Sequence, residues 1–598
     1  MKLENIIPML GNFGRYQLLV VTYAALHNIF GCFTTLGNVF YAAETDHWCN
    51  VLNNANCSNW AEFQDNCTDV KKSIFLPPPE NGSDSEYPYS NCKQWQLPDG
   101  YIFDPYVPLS YYDGFTNVSV PCKDGWEYDT SQYKTTTIMD YGLVCDDAYL
   151  PSLAQSIYFG GFLVGSFIGG SFSDWFGRKK VVIFFQLLWC ASFITTTFSV
   201  NIYMYIAFRV MSALGVLGSY VGLYVLVLEV VGKSYRTAVT MALGIFFAIG
   251  YFFIATAAMY LRQWRSLSMA LSISSVVLLI PLFFIQESIR WLVSKGRIDE
   301  AEKVIRKIAK MNKKTLPDVL FDKEDIQAET ESKESAIPPS VIDLYKTPNM
   351  AVKTLNMQWN WFVNSLVYYG LSQSTNDLGV DDYWAFFVSG AVEIPALLYA
   401  TFGLECFGRK LNLGILELIG GVACLATIFI PKGIWRIVVA MIGKFCISAT
   451  FSIVYVYTVE LFPTPVRAVG LGVSSVASRV GGILSPIILL LDKTVANLPM
   501  WLFGSSAILA GTLAFFLPET RGKKLPQTLE EGEAFGKCRC MGGQAFNDES
   551  SVELDGMDTA KEGVFAISNA VFDHKEEEKE YRDFSQQFTR KLQESSHM

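Results

Sequence analysis

Twelve apolar runs of roughly 20 residues constrain the fold of this chain more than any other feature, because that length lets an α-helix cross the hydrocarbon core of a bilayer. The runs cover residues 17–41, 148–173, 181–199, 202–228, 238–261, 267–285, 355–375, 383–403, 411–430, 435–459, 467–491 and 497–517. Charged residues make up 17% of the 598, whereas soluble domains carry about a quarter. The sequence therefore predicts an all-α membrane protein with twelve transmembrane helices.

The first six runs and the last six carry the same charged pattern. The segment 174–179 (DWFGRK) follows the second run, and the segment 405–410 (ECFGRK) follows the eighth. The offset is 231 residues, and the same offset separates Glu229 from Glu460. Such an internal repeat predicts two six-helix pseudo-repeats, at 17–285 and 355–517.

Lys and Arg cluster in the short loops at one end of the predicted helices. The clusters lie at 177–180, 233–236, 290–314, 408–410 and 521–524. Because cytoplasmic loops carry such an excess, we expect a multi-pass plasma-membrane protein with both termini, 1–16 and 518–598, in the cytoplasm. The linker 286–354 lies on the same side, and its segment 298–310 has the spacing of an amphipathic helix. The net charge of −10 argues against nucleic-acid binding.

The segment 42–147, between the first two runs, is then a large extracellular loop. Its four Asn-x-Ser/Thr glycosylation acceptors are Asn56, Asn66, Asn81 and Asn117. Its six cysteines, out of 13 in the chain, are Cys49, Cys57, Cys67, Cys92, Cys122 and Cys145. An even number of cysteines beside glycosylation acceptors indicates three disulfides in an oxidising compartment. The sequence leaves their pairing open, and free thiols are the alternative.

Two further patterns concern partners. The four histidines, at 27, 47, 574 and 597, are too scattered to indicate a metal site, and we predict none. The highly charged tail finishes with Ser596-His597-Met598, which fits a peptide that adds as a strand to a scaffold domain. A chance match of three residues is the alternative.

The repeated charges lie at the predicted cytoplasmic ends of the helices, where incompletely hydrated carboxylates and guanidinium groups can pair. We interpret them as an ionic latch that breaks as the two halves move, with fixed topology signals as the alternative. The latch residues are Asp174, Gly177, Arg178, Glu229, Arg236, Glu405, Arg409, Glu460 and Arg467. In the second run, Gly161, Gly165 and Gly169 recur every four residues, which predicts a close helix contact for packing or for sliding.

Polar side chains inside the apolar runs are costly unless they face a cavity or a partner. The candidates are Gln155, Glu393, Lys444 and Arg479, with Arg209 nearer a membrane face. We place Glu393 and Arg479 in a central cavity, since both lie near the middle of their runs. Alternatively, Glu393 neutralises Lys444 or Arg479 as a structural pair. Trp361 and Tyr368 lie seven residues apart on one helix face, where rings can hold an organic cation or simply pack.

The turn at 174–179, with its copy at 405–410, resembles the signature loop of the major facilitator superfamily. Further segments resemble the solute carrier 22 transporters of organic cations, anions and zwitterions. These are the cysteine-rich first loop, 143–146 (LVCD), 287–292 (ESIRWL), 368–371 (YYGL) and 457–467 (YTVELFPTPVR). The resemblance extends from residue 1 to about 530 and implies the major facilitator fold, with alternating access between the two halves.

The resemblance also implies which residues line the substrate cavity. They are Trp361, Tyr368, Glu393, Phe451 and Arg479, with Phe247 as a further match. Cation transporters of this family have an aspartate at the Arg479 position, and Lys444 also looks more like the anion and zwitterion members. A fixed guanidinium favours a carboxylate-bearing substrate. Gln155 completes the predicted substrate-binding set.

These features together predict a polyspecific carrier of small organic ions, namely organic cations and carnitine-like zwitterions. We expect no enzymatic activity and no cofactor, although an ion such as sodium or a proton could be coupled to transport. An organic anion transporter or exchanger of the same fold is one alternative. A receptor that binds without transporting is an alternative from a different class.

Overall fold

The computed structural model describes residues 9–50, 72, 75–78, 89–96, 118–232, 235–317, 320–321 and 340–536. Within these ranges the chain forms twelve long helices. They are α1 (Arg15–Leu36), α2 (Leu150–Phe176), α3 (Arg178–Thr196), α4 (Ile202–Val230), α5 (Arg236–Tyr260), α6 (Trp264–Val276), α7 (Pro348–Gln373), α8 (Asp382–Phe407), α9 (Arg409–Phe429), α10 (Ile434–Leu461), α11 (Arg467–Leu490) and α12 (Leu498–Ala514). Five further helices lie outside this set of twelve, namely Asn38–Tyr41, Thr137–Tyr141, Ile289–Ser294, Ile298–Asn312 and Leu529–Ala534.

Ten segments of the described chain are long and apolar enough to cross a membrane, and α12 is apolar but shorter. The helix α7 lies outside that set because it carries buried amides. Asn364 donates to Glu417 of α9 at 2.6 Å, and Thr450 of α10 donates to Asn364 at 2.5 Å. These hydrogen bonds lie inside the helix bundle, so a span of lower hydropathy can still lie within it.

In two of the predicted apolar runs, the regular helix ends before the run does. The α1 helix stops at Leu36, and Gly37 precedes the short helix Asn38–Tyr41. The α6 helix stops at Val276 and continues as two short 3₁₀ turns, the second of which begins at Pro281. Proline has no backbone N–H to donate to the preceding turn, so the regular helix does not extend through it.

Helices of each half pack mainly on one another. In the first half α4 packs on α2 and α3, and α1 packs on α5; in the second half α9 packs on α10 and α12, and α7 packs on α11. The two halves meet where α2 contacts α11 and where α5 contacts α8. We call the end of the bundle that carries residues 37–50 and 118–149 the loop end. The opposite end, which carries residues 9–14 and 515–536, is the termini end.

Four short strands and two disulfides order the described part of the loop segment. Strand β1 (His47–Cys49) pairs with β4 (Trp126–Tyr128), and β2 (Lys93–Trp95) pairs with β3 (Ser119–Pro121), both antiparallel. Disulfides join Cys49 to Cys122 and Cys92 to Cys145, which confirms the expected disulfide bonding for these four cysteines. Cys57, Cys67 and the glycosylation acceptors Asn56, Asn66, Asn81 and Asn117 lie outside the described residues.

The halves are closed against each other at the loop end. Tyr133, ahead of α2, donates to Asp382 of α8 at 2.7 Å. Lys493 forms an ion pair of 2.6 Å with Glu44. The ring of Phe40 stacks on Tyr383 with 5.6 Å between centroids. These contacts all join residues before α7 to residues after it, so the loop end must separate before a solute can enter from that side.

The glycine stripe of α2 packs inside the first half. A Cβ on Gly169 would lie 2.7 Å from Cα of Gly218 in α4, and a Cβ on Gly165 would lie 3.0 Å from the carbonyl oxygen of Leu214. Gly161 similarly approaches Ala213. Because both partners belong to one half, the stripe serves helix packing rather than a contact between the two halves.

We expect Gly169→Ala to destabilise the protein by about 1–3 kcal/mol, the usual cost of forcing a methyl group into a packed contact. Gly160→Ala is the matched control, because a Cβ there meets nothing within 4 Å. Thermal unfolding of the purified variants measures both. Equal melting temperatures for the two variants would contradict the packing role.

Candidate functional site

A central cavity of about 260 Å³ lies between the two halves. Its lining includes His27, Asn28, Tyr220, Phe247, Tyr368, Tyr369, Glu393, Leu397, Ser448, Phe451, Tyr455 and Arg479. These residues come from α1, α4, α5, α7, α8, α10 and α11. The cavity therefore combines one carboxylate, one guanidinium and several aromatic rings, drawn from both halves.

Glu393 pairs with Lys444 rather than with Arg479. Lys444 Nζ lies 2.9 Å from Glu393 Oε1, and the two side chains are only 1% and 5% exposed. Tyr368 donates its hydroxyl to the same Oε1 at 2.8 Å. Lys444 also donates to Ser372 and lies 3.7 Å from the ring centroid of Tyr368. Lys444 therefore lies with Glu393 in a closed cluster of charges and hydroxyls.

The ion pair separates two cavities. Glu393 lines the central cavity, whereas Lys444 lines a second cavity of about 430 Å³ towards the loop end. The ion pair and its hydroxyl partners form a partition between the two cavities. Tyr251 of α5, in the first half of the chain, also contacts this partition. Its hydroxyl lies 3.3 Å from Lys444 Nζ and 3.3 Å from Tyr368 Oη. A solute that crosses from one cavity to the other must pass this cluster.

Arg479 has no carboxylate partner among the described residues. Its side chain lines the central cavity with Tyr369 and Tyr455, and its Nε is buried without a hydrogen-bond acceptor. The hydroxyl of Ser448, in the same lining, is also buried without a partner. An unpaired guanidinium inside a bundle is costly. Arg479 and Ser448 therefore give the cavity lining donors that have no acceptor within the described residues.

The structure does not bring every predicted substrate residue to the central cavity. Trp361 is 1% exposed in the core of the second half, donates to Thr458 at 2.8 Å and packs against Tyr455 at 4.3 Å between centroids. It supports the cavity wall from behind. Gln155 accepts a 2.6 Å hydrogen bond from Arg209 and lines the cavity at the loop end.

Arg209, which the sequence predicts to lie nearer a membrane face than the other polar candidates, is buried among the helices of the first half. It is 1% exposed, donates to the carbonyl oxygen of Thr34 at 2.9 Å and lies 4.3 Å from the ring centroid of Tyr158. Its cost inside the bundle is offset by these partners and by Gln155. The contacts that hold Arg209 and Gln155 in place therefore all come from helices of the first half.

Several lining residues were missed by the sequence analysis. His27 lies in the lining and is within 2.8 Å of the Ser219 hydroxyl, although the sequence analysis considered histidines only as metal ligands. Tyr455 follows Phe451 by one helical turn, so the 3.6-residue period could have placed both rings on one face of α10. Tyr220 gave no comparable signal, because polar aromatics are frequent in apolar runs.

The repeated charges form matching networks at the termini end. Arg178 lies 3.0 Å from Asp174 and 3.7 Å from Glu229, and Arg409 lies 2.8 Å from Glu460. Each pair joins helices within one half. The equivalence is incomplete, because Glu405 is exposed and pairs with no cation in the described ranges.

The other two arginines of the predicted latch are not joined to its carboxylates by ion pairs in the described ranges. Arg467 donates to the backbone oxygen of Phe462 at 3.2 Å. Arg236 lies in the electrostatic field of both Arg290 and Glu229. The latch residues therefore lie at one end of the bundle, and five of them form two separate ionic clusters, one in each half.

A second pair of repeated carboxylates, Glu287 and Glu519, which we did not include in the predicted latch, explains the glycine turns. Gly177 and Gly408 have φ of +105° and +84°, and a Cβ on either would lie within 3 Å of Glu287 or Glu519. Glu519 accepts from the backbone N–H groups of Arg409 and Lys410 at 2.9 and 3.1 Å. The 232-residue offset between Glu287 and Glu519 was the available signal.

The chemistry of Glu519 follows from these contacts. Burial raises the pKa of its carboxyl, but the backbone N–H groups that it accepts from outweigh burial and hold that pKa below its usual range. The carboxylate is therefore ionised at neutral pH and caps the first turn of α9. Glu287 accepts from the backbone N–H of Lys179 at 3.0 Å in the same way at α3.

We expect Lys444→Gln to destabilise the protein by about 3–5 kcal/mol, because it leaves the buried Glu393 carboxylate without its cation. Glu393→Gln should also destabilise, since it strands Lys444. The double variant should regain most of the loss, as a neutral pair carries no uncompensated charge. Thermal unfolding of the three purified variants gives the double-mutant cycle. Additive losses would mean that the two side chains are not energetically coupled.

Comparisons with known proteins agree with this architecture. The family model described as "Sugar (and other) transporter" matches residues 111–531. The xylose transporter XylE from E. coli, in its inward-open conformation, superposes with a TM-score of 0.55 at 16% identity, covering 87% of this chain and 99% of XylE. At that identity the likeness concerns the fold alone, and it confirms the predicted major facilitator fold.

Curated relatives are similar over nearly the whole chain. An organic cation transporter protein from Drosophila melanogaster is 34% identical and covers 94% of this chain and 100% of its own length. Organic cation/carnitine transporter 2 from Homo sapiens is 35% identical, covering 88% of this chain and 93% of the relative. Solute carrier family 22 member 21 from Mus musculus is 34% identical, with 90% and 94% covered. The chain therefore belongs to the solute carrier 22 family of membrane transporters, within the major facilitator superfamily.

Proposed function

We propose that this protein carries small organic cations and carnitine-like zwitterions across the plasma membrane by alternating access. The observation that carries the proposal is that one aromatic cavity is lined both by the Glu393 carboxylate and by the Arg479 guanidinium, which has no carboxylate partner among the described residues. The curated relatives named for organic cations and carnitine support the same substrate classes.

The cavity offers different partners to the two ends of a zwitterion. The Arg479 guanidinium and the Ser448 hydroxyl have unused hydrogen-bonding capacity for a carboxylate. The rings of Tyr368 and Phe451, with 5.6 Å between centroids, present aromatic surface to an ammonium group. Tyr368 and Lys444 both bind Oε1 of Glu393, so Oε2 can still attract a cation. A simple cation would use only the second set of contacts.

Alternating access requires the two halves, 17–285 and 355–517, to rock about the contacts of α2 with α11 and of α5 with α8. In the proposed topology the disulfide-bonded loop end is extracellular, and both termini and the linker 286–354 are cytoplasmic. Closure at the loop end then corresponds to a carrier whose central cavity faces the cytoplasm. The gradient of the solute, exchange, or a coupled sodium ion or proton would drive transport.

An organic anion transporter or exchanger is a second candidate, and the unpaired Arg479 is the observation that favours it. Substrates with a carboxylate and no ammonium would then be transported in preference to zwitterions. A non-transporting receptor would bind the same solutes without accumulating them in vesicles. The tail peptide Ser596-His597-Met598 lies outside the described residues, and we retain it as a proposed scaffold-binding segment.

Arg479→Gln should reduce uptake of carnitine by at least tenfold while leaving uptake of tetraethylammonium within about twofold, because only carnitine needs the charge-assisted hydrogen bonds of a guanidinium. The measurement is tracer uptake into cells, normalised to surface protein. Arg262→Gln is a matched control, since Arg262 is exposed at the loop end, away from the central cavity. Equal loss of both substrates at normal surface level would contradict the selectivity proposal.

Arg178→Ala should slow turnover severalfold at unchanged surface level, because it removes the cation that holds Asp174 and Glu229 at the termini end. Lys180→Ala, at an exposed position two residues later, is the control and should behave like the unchanged protein. Uptake per surface molecule, measured at saturating substrate, tests this. Unchanged uptake in Arg178→Ala would leave these charges as topology signals only.

A further inference from the structure

The second cavity, towards the loop end, is larger than the central one and is lined by polar groups of several helices. Its volume is about 430 Å³, within the usual range for sites that hold small organic ligands. Residues from the ends of α7, α10 and α11 and from the segments preceding α2 and α8 line it. The Lys444 side chain closes it on the side of the central cavity.

Most of the charged groups in this lining already have partners. Glu44 pairs with Lys493 at 2.6 Å, and Lys444 pairs with Glu393. Asp382 accepts from Tyr133, and Asp492 accepts from the backbone N–H of Asn497 at 2.6 Å. Each of these charged groups is therefore already held by at least one partner within the described residues.

The unused capacity consists of hydrogen-bond donors. Arg436 Nε, Gln373 Nε2 and Gln132 Nε2 are each buried without an acceptor, and all three residues line this cavity. Arg436 donates from Nη2 to the side-chain oxygen of Asn497 at 3.3 Å, but no carboxylate of the described residues forms an ion pair with it. A buried donor without an acceptor costs free energy, which a ligand with acceptor oxygens would recover.

We propose that the loop-end cavity is a second binding site, which takes the carboxylate group of a small organic solute through Arg436, Gln373 and Gln132. A guanidinium and two amide N–H₂ groups supply donors that suit the two oxygens of a carboxylate. The site is distinct from the one around Arg479, since Lys444 and Glu393 stand between the two cavities. Binding there does not require transport, and it can occur while the central cavity is closed to the loop end.

The site is tested by binding to the purified full-length chain in lipid nanodiscs. The probe is 4,4,4-trifluorobutyrate, a carboxylate without an ammonium group, and fluorine NMR line broadening reports its binding. In an Arg479→Gln background, which removes the central guanidinium, Arg436→Gln should raise the dissociation constant by about tenfold or more, the loss expected for a charge-assisted hydrogen bond. Adding Arg262→Gln to that background should change it by less than about twofold.

Equal probe affinity in the Arg479→Gln protein with and without Arg436→Gln would overturn the proposal, whatever the uptake assays show. If Arg436→Gln does not fold, Gln373→Ala in the Arg479→Gln background replaces it. Weaker probe binding by that variant would support the proposal, and unchanged binding would contradict it. The proposed transport function is tested separately, by the dependence of carnitine uptake on Arg479. That dependence can hold even if Arg436→Gln leaves probe binding unchanged.

Discussion

The buried ion pair between Glu393 and Lys444 is the interaction on which the rest of the structure depends. Two opposite charges that are almost fully buried cost several kcal/mol each to desolvate, so each must keep the other close. Their cluster forms the partition between the central and loop-end cavities. Because Tyr251 of the first half contacts Lys444 of the second, the partition also ties the two halves together. Opening of the loop end has to rearrange these contacts.

The cavities on the two sides of this pair have different chemistry. The central cavity has rings, one carboxylate and one unpaired guanidinium, whereas the loop-end cavity has paired carboxylates and unused donors. The networks at the termini end are separate from both. The networks repeat in the two halves. Glu229 and Glu460 form ion pairs with the equivalent arginines Arg178 and Arg409, and they accept hydrogen bonds from the equivalent hydroxyls of Ser288 and Thr520. Each network joins helices of one half.

Much of the architecture could be predicted from the sequence, because hydropathy and the 231-residue offset are properties of the chain itself. The side-chain assignments were less predictable. Periodicity placed Trp361 and Tyr368 on one face of α7, but only the packing of α10 decides that Tyr368 reaches the cavity while Trp361 is covered by Tyr455. The partner of Glu393 was equally undetermined, because Lys444 and Arg479 lie on different helices whose distances depend on how the bundle closes. The early end of α6 follows from a local rule, the missing N–H of Pro281.

The central claim is that this chain moves one solute molecule through a cavity that is open to one side at a time, and counterflow tests it most directly. Liposomes that contain the purified protein are loaded with unlabelled carnitine and diluted into a trace amount of labelled carnitine. The account predicts a transient accumulation of label above its final equilibrium level, which disappears when the interior carnitine is omitted. Label that only equilibrates, or that binds without entering the vesicles, would contradict a carrier with alternating access.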